Sequence, residues 1–386
     1  MKFRRPSILV QLIAAIGLGA AFGCAAPAWG IRLTNCFRDQ FGEFIRFFVP
    51  FIILGLVTPA IAETGRGAGR KLLLTLALAY ASTLLAGVFA FGVSETVFPH
   101  LLAGTAKVSD RAAEFPAYFR LAIPPVLGVT SALATAFAVG LGMASTGATA
   151  LERLASEFRG VVVKILEKVL VPLLPAYVMT VLADIAASGR LSAVGGASVR
   201  IMAVGMAATV SVLVLQYLVA GLIARRNPLK ALVTMFPAYL TGWGCCSSAA
   251  TIPYTLRQTK LNGVSDETAD LVIPLCANVH LAGSMTNMVV YAAGMMVLAG
   301  ETLGFGAFAQ YILMISVIAV ASPGVPGGVV LASASVAEVA LGFTPERYAL
   351  MAALYMALDG MGTACNLTGD GAIAMIVDRL SPRHET

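Results

Sequence analysis

Seven stretches of this chain carry no Asp, Glu, Lys or Arg: Pro6–Ile31, Leu72–Ser94, Leu121–Leu151, Ile201–Ala224, Ala231–Leu256, Leu271–Gly300 and Thr302–Ala337. About 20 apolar residues in a helix cross the hydrocarbon layer of a bilayer, so most of these runs are long enough to span or enter one. Read with their flanks, they predict six spans in the first part of the chain. These are Ser7–Trp29, Phe41–Ala62, Leu72–Phe98, Leu121–Ala150, Phe158–Ala187 and Ile201–Ala224, with one longer connection at residues 99–120. The fifth span begins as an amphipathic stretch, because Glu157, Arg159, Lys164, Glu167 and Lys168 precede Val169–Ala183. Such a stretch is expected to lie partly at the membrane surface.

The later runs read differently. Asn227–Gln258 is apolar but broken by Pro237, Gly242, Gly244 and Ser247-Ser-Ala-Ala-Thr-Ile-Pro253. Thr302–Thr344 is broken by Ser322-Pro-Gly-Val-Pro-Gly-Gly328. The first of these has basic residues at both ends, Arg225/Arg226 and Arg257/Lys260, which places both ends on the cytoplasmic side. The second then has both ends outside if the last span, Tyr348–Val377, is to finish at Arg379 inside. Two re-entrant hairpins from opposite faces meet the charge rule better than two full crossings. Broken backbone at membrane depth survives only where protein or an aqueous cavity satisfies its polar groups. Interrupted segments of this kind point to a transport site. The predicted fold is an all-α polytopic membrane protein with eight transmembrane helices and two re-entrant helical hairpins.

Composition agrees. Of 386 residues, 58% are hydrophobic and 12% charged, about half the charged share of a soluble domain. The net charge of +6 would suit an anionic partner, but its distribution follows the membrane instead. With a cytoplasmic N-terminus, 17 of the 26 Lys and Arg fall on inside segments, so nucleic acid is not needed to explain the charge. Both termini are then cytoplasmic. Lys2-Phe-Arg-Arg5, an apolar run and Ala25-Ala-Pro-Ala28 have the order of a signal peptide. The apolar run is longer than a usual signal core and further spans follow, so it reads as the first span. The six cysteines show no CxxC spacing and read as small buried side chains.

Three motifs carry a resemblance. Ser247-Ser-Ala-Ala-Thr-Ile-Pro253 resembles the serine-rich first-hairpin tip of the dicarboxylate/amino acid:cation symporter family. Ser322-Pro-Gly-Val-Pro-Gly-Gly328 looks like that family's second-hairpin tip, and Asn366-Leu-Thr-Gly-Asp370 like the Asn-x-Thr-Gly-Asp of its last helix. Their order and spacing agree, and the six preceding spans fit the family plan. The resemblance implies inverted repeats, a homotrimer in the lipid of the cell inner membrane, and an elevator mechanism. In it, residues 1–224 are mainly scaffold, with spans 3 and 6 joining a transport core at 225–386. It implies symport of a small amino acid or dicarboxylate with sodium or protons, and no enzymatic reaction.

Departures from the family pattern narrow this. The family's Asn-Met-Asp-Gly-Thr appears here as His280-Leu-Ala-Gly-Ser284, so Ala282 replaces an ion-binding carboxylate. Its Tyr-x-x-Thr-Ser appears as Tyr80-Ala-Ser-Thr83-Leu84. The arginines of acidic-substrate members fall on Gly362, and on Cys246 or Gly360. The chain therefore leans toward the serine/threonine branch, and toward neutral substrates such as serine, threonine or alanine.

Asp359 and Asp370 are the only carboxylates between Glu346 and Asp378. An ionisable side chain inside a membrane segment is functional by default. Eleven positions apart, they share a helix face with Thr363 and Asn366 between them. By resemblance, Asp359 faces the substrate ammonium and Asp370 a sodium ion, with Asn366 serving either. Ser247 and Ser248, at a hairpin tip, can capture a substrate carboxylate through N–H and hydroxyl groups. Gly324, Val325, Pro326 and Gly327 form the opposite tip. The resemblance adds Cys276, Asn278 and Ser322 to the sodium set. His280 reads equally as a neutral histidine bonded to a backbone carbonyl and as a proton carrier or gate on ion binding.

Overall fold

In a computed structural model, the protein is described over residues 8–64, 70–105, 115–189, 191–321 and 327–381. Every regular element there is helical. The first part contains α1 (Ile8–Ala25), α2 (Ala28–Thr64), α3 (Arg70–Leu101), α4 (Val129–Thr146), α5 (Thr149–Ile165), α6 (Val171–Ala187) and α7 (Leu191–Ala224). A single π turn, Leu166–Leu170, joins α5 to α6. The second part contains α8 (Pro228–Thr234), α9 (Phe236–Cys245), α10 (Ser248–Leu261), α11 (Asp266–Val279), α12 (Ala282–Ala299) and α13 (Phe305–Ala321). It ends in α14 (Gly328–Ala332), α15 (Ala334–Leu341), α16 (Pro345–Ala357) and α17 (Asp359–Leu380).

By length and composition, four described helical stretches can each cross a membrane: Ala28–Pro59, Lys71–Leu101, Val194–Ala224 and Asp266–Ala299. The bent pair Thr149–Leu170 and Pro172–Ala187 makes a fifth if it counts as one span. Large apolar side chains stand exposed around the molecule, among them Leu85, Val199, Leu222 and Val233, each more than 65% exposed. In water such a surface would aggregate; against lipid it is the expected solvent face.

Local signals set many boundaries. Asn227 caps α8 by accepting from Lys230 N, ahead of Pro228 in the first turn. Thr344 does the same for α16, with Pro345 following. α1 lies directly on α6. A Cβ at Gly19 would sit 2.4 Å from Met179 O, and one at Gly23 2.2 Å from Ala183 O, so only glycine lets the two backbones approach this closely.

Several boundaries differ from the sequence expectation: α5 starts at Thr149 rather than Phe158, α7 at Leu191 rather than Ile201, and two further shifts share a cause. α2 starts at Ala28, thirteen residues before Phe41, and α4 starts at Val129 rather than Leu121. One arrangement explains both. The early half of α2 is a helix with a polar face, and that face holds residues 115–123 outside any helix. Asn35 Nδ2 donates to Phe115 O at 2.7 Å, Arg32 Nε to Pro116 O at 2.9 Å, and Glu43 accepts from Ile123 N at 3.2 Å. Gln40 and Leu121 exchange two hydrogen bonds. Pro124 and Pro125 then lack amide hydrogens and keep helix from starting earlier. Glu43, 5% exposed, also pairs with Arg46 and Arg120.

The same face of α2 reaches the second part of the chain. Arg46 Nε lies 3.0 Å from Glu338 of α15, and Arg38 Nη2 lies 3.7 Å from Glu346 of α16. The Tyr177 hydroxyl of α6 donates to Pro345 O at 3.1 Å.

Both interrupted segments turn back on themselves. α9 and α10 pack against each other across the Cys246–Ser247 break, and α13 packs on α15 across residues 322–327. Two further breaks carry no proline or glycine: His280–Leu281 between α11 and α12, and Leu358 between α16 and α17.

Candidate functional site

The four breaks converge. A cavity is lined by Cys246 and Ser248 of the first hairpin, Asn278 of α11, Ser284 of α12, and Gly328 and Val329 of the second hairpin. Tyr355, Asp359, Thr363 and Asn366 complete it from α16 and α17. Asp359 opens α17, where its negative charge meets the positive end of the helix dipole. Its Oδ2 accepts from Gly327 N at 3.0 Å, so the carboxylate also fastens the second-hairpin tip. Gly327 holds φ of +74°, which suits glycine. Ser322, Gly324, Val325 and Pro326 lie outside the described residues. Ser248 lines the cavity and begins α10; Ser247 stands one residue before it, outside the lining set.

The α11–α12 break exposes backbone N–H groups in a buried place, and each needs an acceptor. Leu281 N donates to Thr83 Oγ1 at 3.1 Å. Gly283 N and Ser284 N both donate to Asn366 Oδ1, at 2.8 and 3.2 Å. Asn366 Nδ2 donates to Ser284 Oγ at 2.9 Å. Asn366 therefore caps α12 from a different helix while lining the cavity, a capping role that sequence reasoning missed.

Asp370 does not line the cavity. One turn past Asn366 on α17, it pairs with His280, and both are essentially fully buried. His280 Nδ1 stands 2.9 Å from Asp370 Oδ1 and 3.3 Å from Asn366 O. Its Nε2 stands 3.0 Å from Ser82 Oγ and 3.1 Å from Gln216 Nε2. This pattern closes with one ring proton: Nδ1–H donates to the carboxylate, and Nε2 accepts from the hydroxyl or amide. Asp370 Oδ2 has no hydrogen-bond partner among the described residues. An open carboxylate oxygen suits a hard cation, which takes oxygen ligands. Cys276 O accepts His280 N at 2.9 Å. Asn278, exposed, lies on the cavity side instead, so the expected sodium set divides between two places.

The fold and site define a membrane transporter: broken helices meeting at a buried carboxylate, within a helical body whose surface is apolar. The chain belongs to the sodium:dicarboxylate symporter family, whose family model matches residues 8–380; that family comprises transporters rather than enzymes. It is 28% identical to excitatory amino acid transporter 2 of Homo sapiens over 165 residues, 42% of this chain and 29% of that protein. It is also 28% identical to neutral amino acid transporter A of Homo sapiens over 160 residues, 41% of this chain and 30% of that one. The matched stretch thus spans under a third of the length of these relatives.

Proposed function

We propose that this chain is a secondary active symporter importing a small neutral amino acid, such as serine, threonine or alanine, with sodium. The observation that carries this reading is the chemistry of the cavity, where Asp359 is the only carboxylate and no Lys or Arg is present among the described lining residues. A substrate ammonium answers that carboxylate. A second substrate carboxylate would be buried beside it with no Lys or Arg to meet it, and an uncompensated buried charge is expensive. Gly360, Gly362 and Cys246 supply no cation. The relatives, named for excitatory and for neutral amino acids, allow either substrate class, and the cavity chemistry favours the second.

In this reading the chain makes eight spans and two re-entrant hairpins, with both termini on the cytoplasmic side of the inner membrane, and assembles as a trimer. Residues 225–386 move as an elevator with α3 and α7. Support comes from packing: α3 and α7 lie against α12 and α17, whereas α1 packs mainly on α6 and α2 mainly on α4, α5 and α6, with smaller contacts to α13, α15 and α16. Sodium is carried at Asp370. Ala282 and Leu84 supply no side-chain oxygen to a further site, and Thr83 is committed to Leu281 N. One or two sodium ions per substrate follow, read as flux reversal potentials in proteoliposomes with sodium and pH varied separately. Three coupled sodium ions would refute the lost-site argument. Uptake that ignores sodium and follows the proton gradient would move coupling to His280. In competition, serine should outcompete aspartate; tighter binding of aspartate or succinate would overturn the neutral assignment.

A further inference from the structure

Beside the cavity, one buried side chain has an end that no described residue uses. Asn287 lies on α12 one turn beyond Ser284 and is 1% exposed. Its Nδ2 has no hydrogen-bond partner among the described residues. It stands against Gly362 of α17. A Cβ built on Gly362 would find Asn287 Nδ2 as its nearest neighbour, at 3.2 Å, with Ser284 next at 3.6 Å. Gly362 sits between Asp359 and Thr363, both of which line the cavity. One turn beyond Asn287, the fully buried Tyr291 hydroxyl is likewise unpartnered.

The other end of the amide is fixed. Asn287 Oδ1 is 2.9 Å from Thr209 Oγ1, which also stands 2.8 Å from Gly205 O. A hydroxyl has one proton. If it goes to Asn287, the amide N–H faces Gly362; if it goes to Gly205 O, the amide turns over and its C=O faces Gly362. Either way one strong polar group is left unanswered beside Gly362, next to Asp359 and Thr363 of the cavity lining, though Asn287 and Gly362 themselves stand just outside that lining. A buried amide end left unpaired is destabilising, and the described residues offer no internal partner.

We infer that Asn287 reads the side chain of the transported amino acid, and that it selects a short neutral side chain bearing a hydroxyl. The inference rests on the amino acid reading given above and adds to it the residue that discriminates within the class. An amino acid whose ammonium meets Asp359 places its β-substituent near Gly362. A hydroxyl both donates and accepts, so it satisfies Asn287 in either amide orientation. A methyl satisfies neither and leaves the amide buried and bare. Sites built to bond a substrate hydroxyl reject the analogue that lacks it far more strongly than apolar pockets reject one methylene.

The test is a pair of isosteric comparisons on the full-length protein in lipid nanodiscs with sodium: calorimetric affinities for L-serine against L-alanine, and L-threonine against L-valine. The wild type should favour each hydroxyl partner by about five- to 150-fold, the range expected for leaving one buried polar group unpaired. In Asn287→Leu, which keeps the volume and deletes the polar atoms, the serine-to-alanine ratio should fall toward one while alanine affinity is retained. Asn287→Ala gives the same ratio test should the leucine variant fold poorly. A role in packing alone would weaken both ligands equally, and that result overturns the inference. So does a wild type that binds serine and alanine alike, or a preference that survives the substitution. If no amino acid binds the wild type, the underlying functional reading is wrong and this inference goes with it.

Discussion

At the scale of single residues, Asn366 does more than one job, and this sets an expectation for stability without ligand. Its amide closes three hydrogen bonds at the start of α12. Asn366→Leu leaves Gly283 N and Ser284 N buried without acceptors, so apo stability should drop by about 1–3 kcal/mol. Thermal unfolding in detergent without substrate checks this; an unchanged midpoint would show that other groups meet those amides. Gly362→Arg makes a complementary expectation. The new side chain starts against Asn287, adds a bidentate cation beside the cavity, and should shift binding from serine toward aspartate in competition. Much of the cavity was legible because the stripe Asp359, Thr363, Asn366 and Asp370 follows from helix periodicity. That Asp370 serves a separate place was not, since its distinguishing partner, His280, is 90 positions away in the chain. Asn287 and Tyr355 were illegible for a similar reason: a single polar residue in an apolar helix gives no sign of what stands opposite.

At the scale of elements, the breaks divide by their cause. The interruption between α9 and α10 was legible because proline and glycine mark it in the chain itself, as they mark the second tip, most of which lies outside the described residues. The breaks at His280–Leu281 and Leu358 were not, because distant groups hold open the first and no helix-breaking residue marks the second. Thr83 and Asn366 supply the bonds that an unbroken α11–α12 helix would have made internally. The early start of α2 escaped notice likewise, since its polar face looks like a surface loop until residues 115–123 are laid on it. The hairpins carry an expectation about sidedness. Single cysteines near both ends of 227–258 should react with impermeant reagent only from the cytoplasm, and near both ends of 302–345 only from outside. If the two ends of either segment label from opposite sides, that segment is a full crossing.

At the scale of the whole molecule, α2 and α6 are tied to the second hairpin and α16 by Arg46–Glu338, Arg38–Glu346 and the Tyr177–Pro345 hydrogen bond. If residues 225–386 slide past α2 and α6, these contacts must part in every cycle. Glu338 is 43% exposed, so its pair with Arg46 is worth at most about 1 kcal/mol. Glu338→Gln should therefore leave substrate affinity unchanged while raising the rate of sodium-driven uptake up to about fivefold, the factor that such an energy allows. Slower uptake, or altered affinity with unaltered rate, would show that the pair is not a contact the motion must break.

Because that contact is ionic and partly wet, background electrolyte acts on it as a clutch. Screening falls to about 10 Å at 0.1 M salt, and exposed pairs weaken as salt rises. Adding choline chloride at fixed sodium should then quicken turnover without any ion being carried. A sodium titration that lets ionic strength climb would fold this loosening into the curve, steepening it beyond what the carried ions require. Holding sodium plus choline constant separates drive from lubrication.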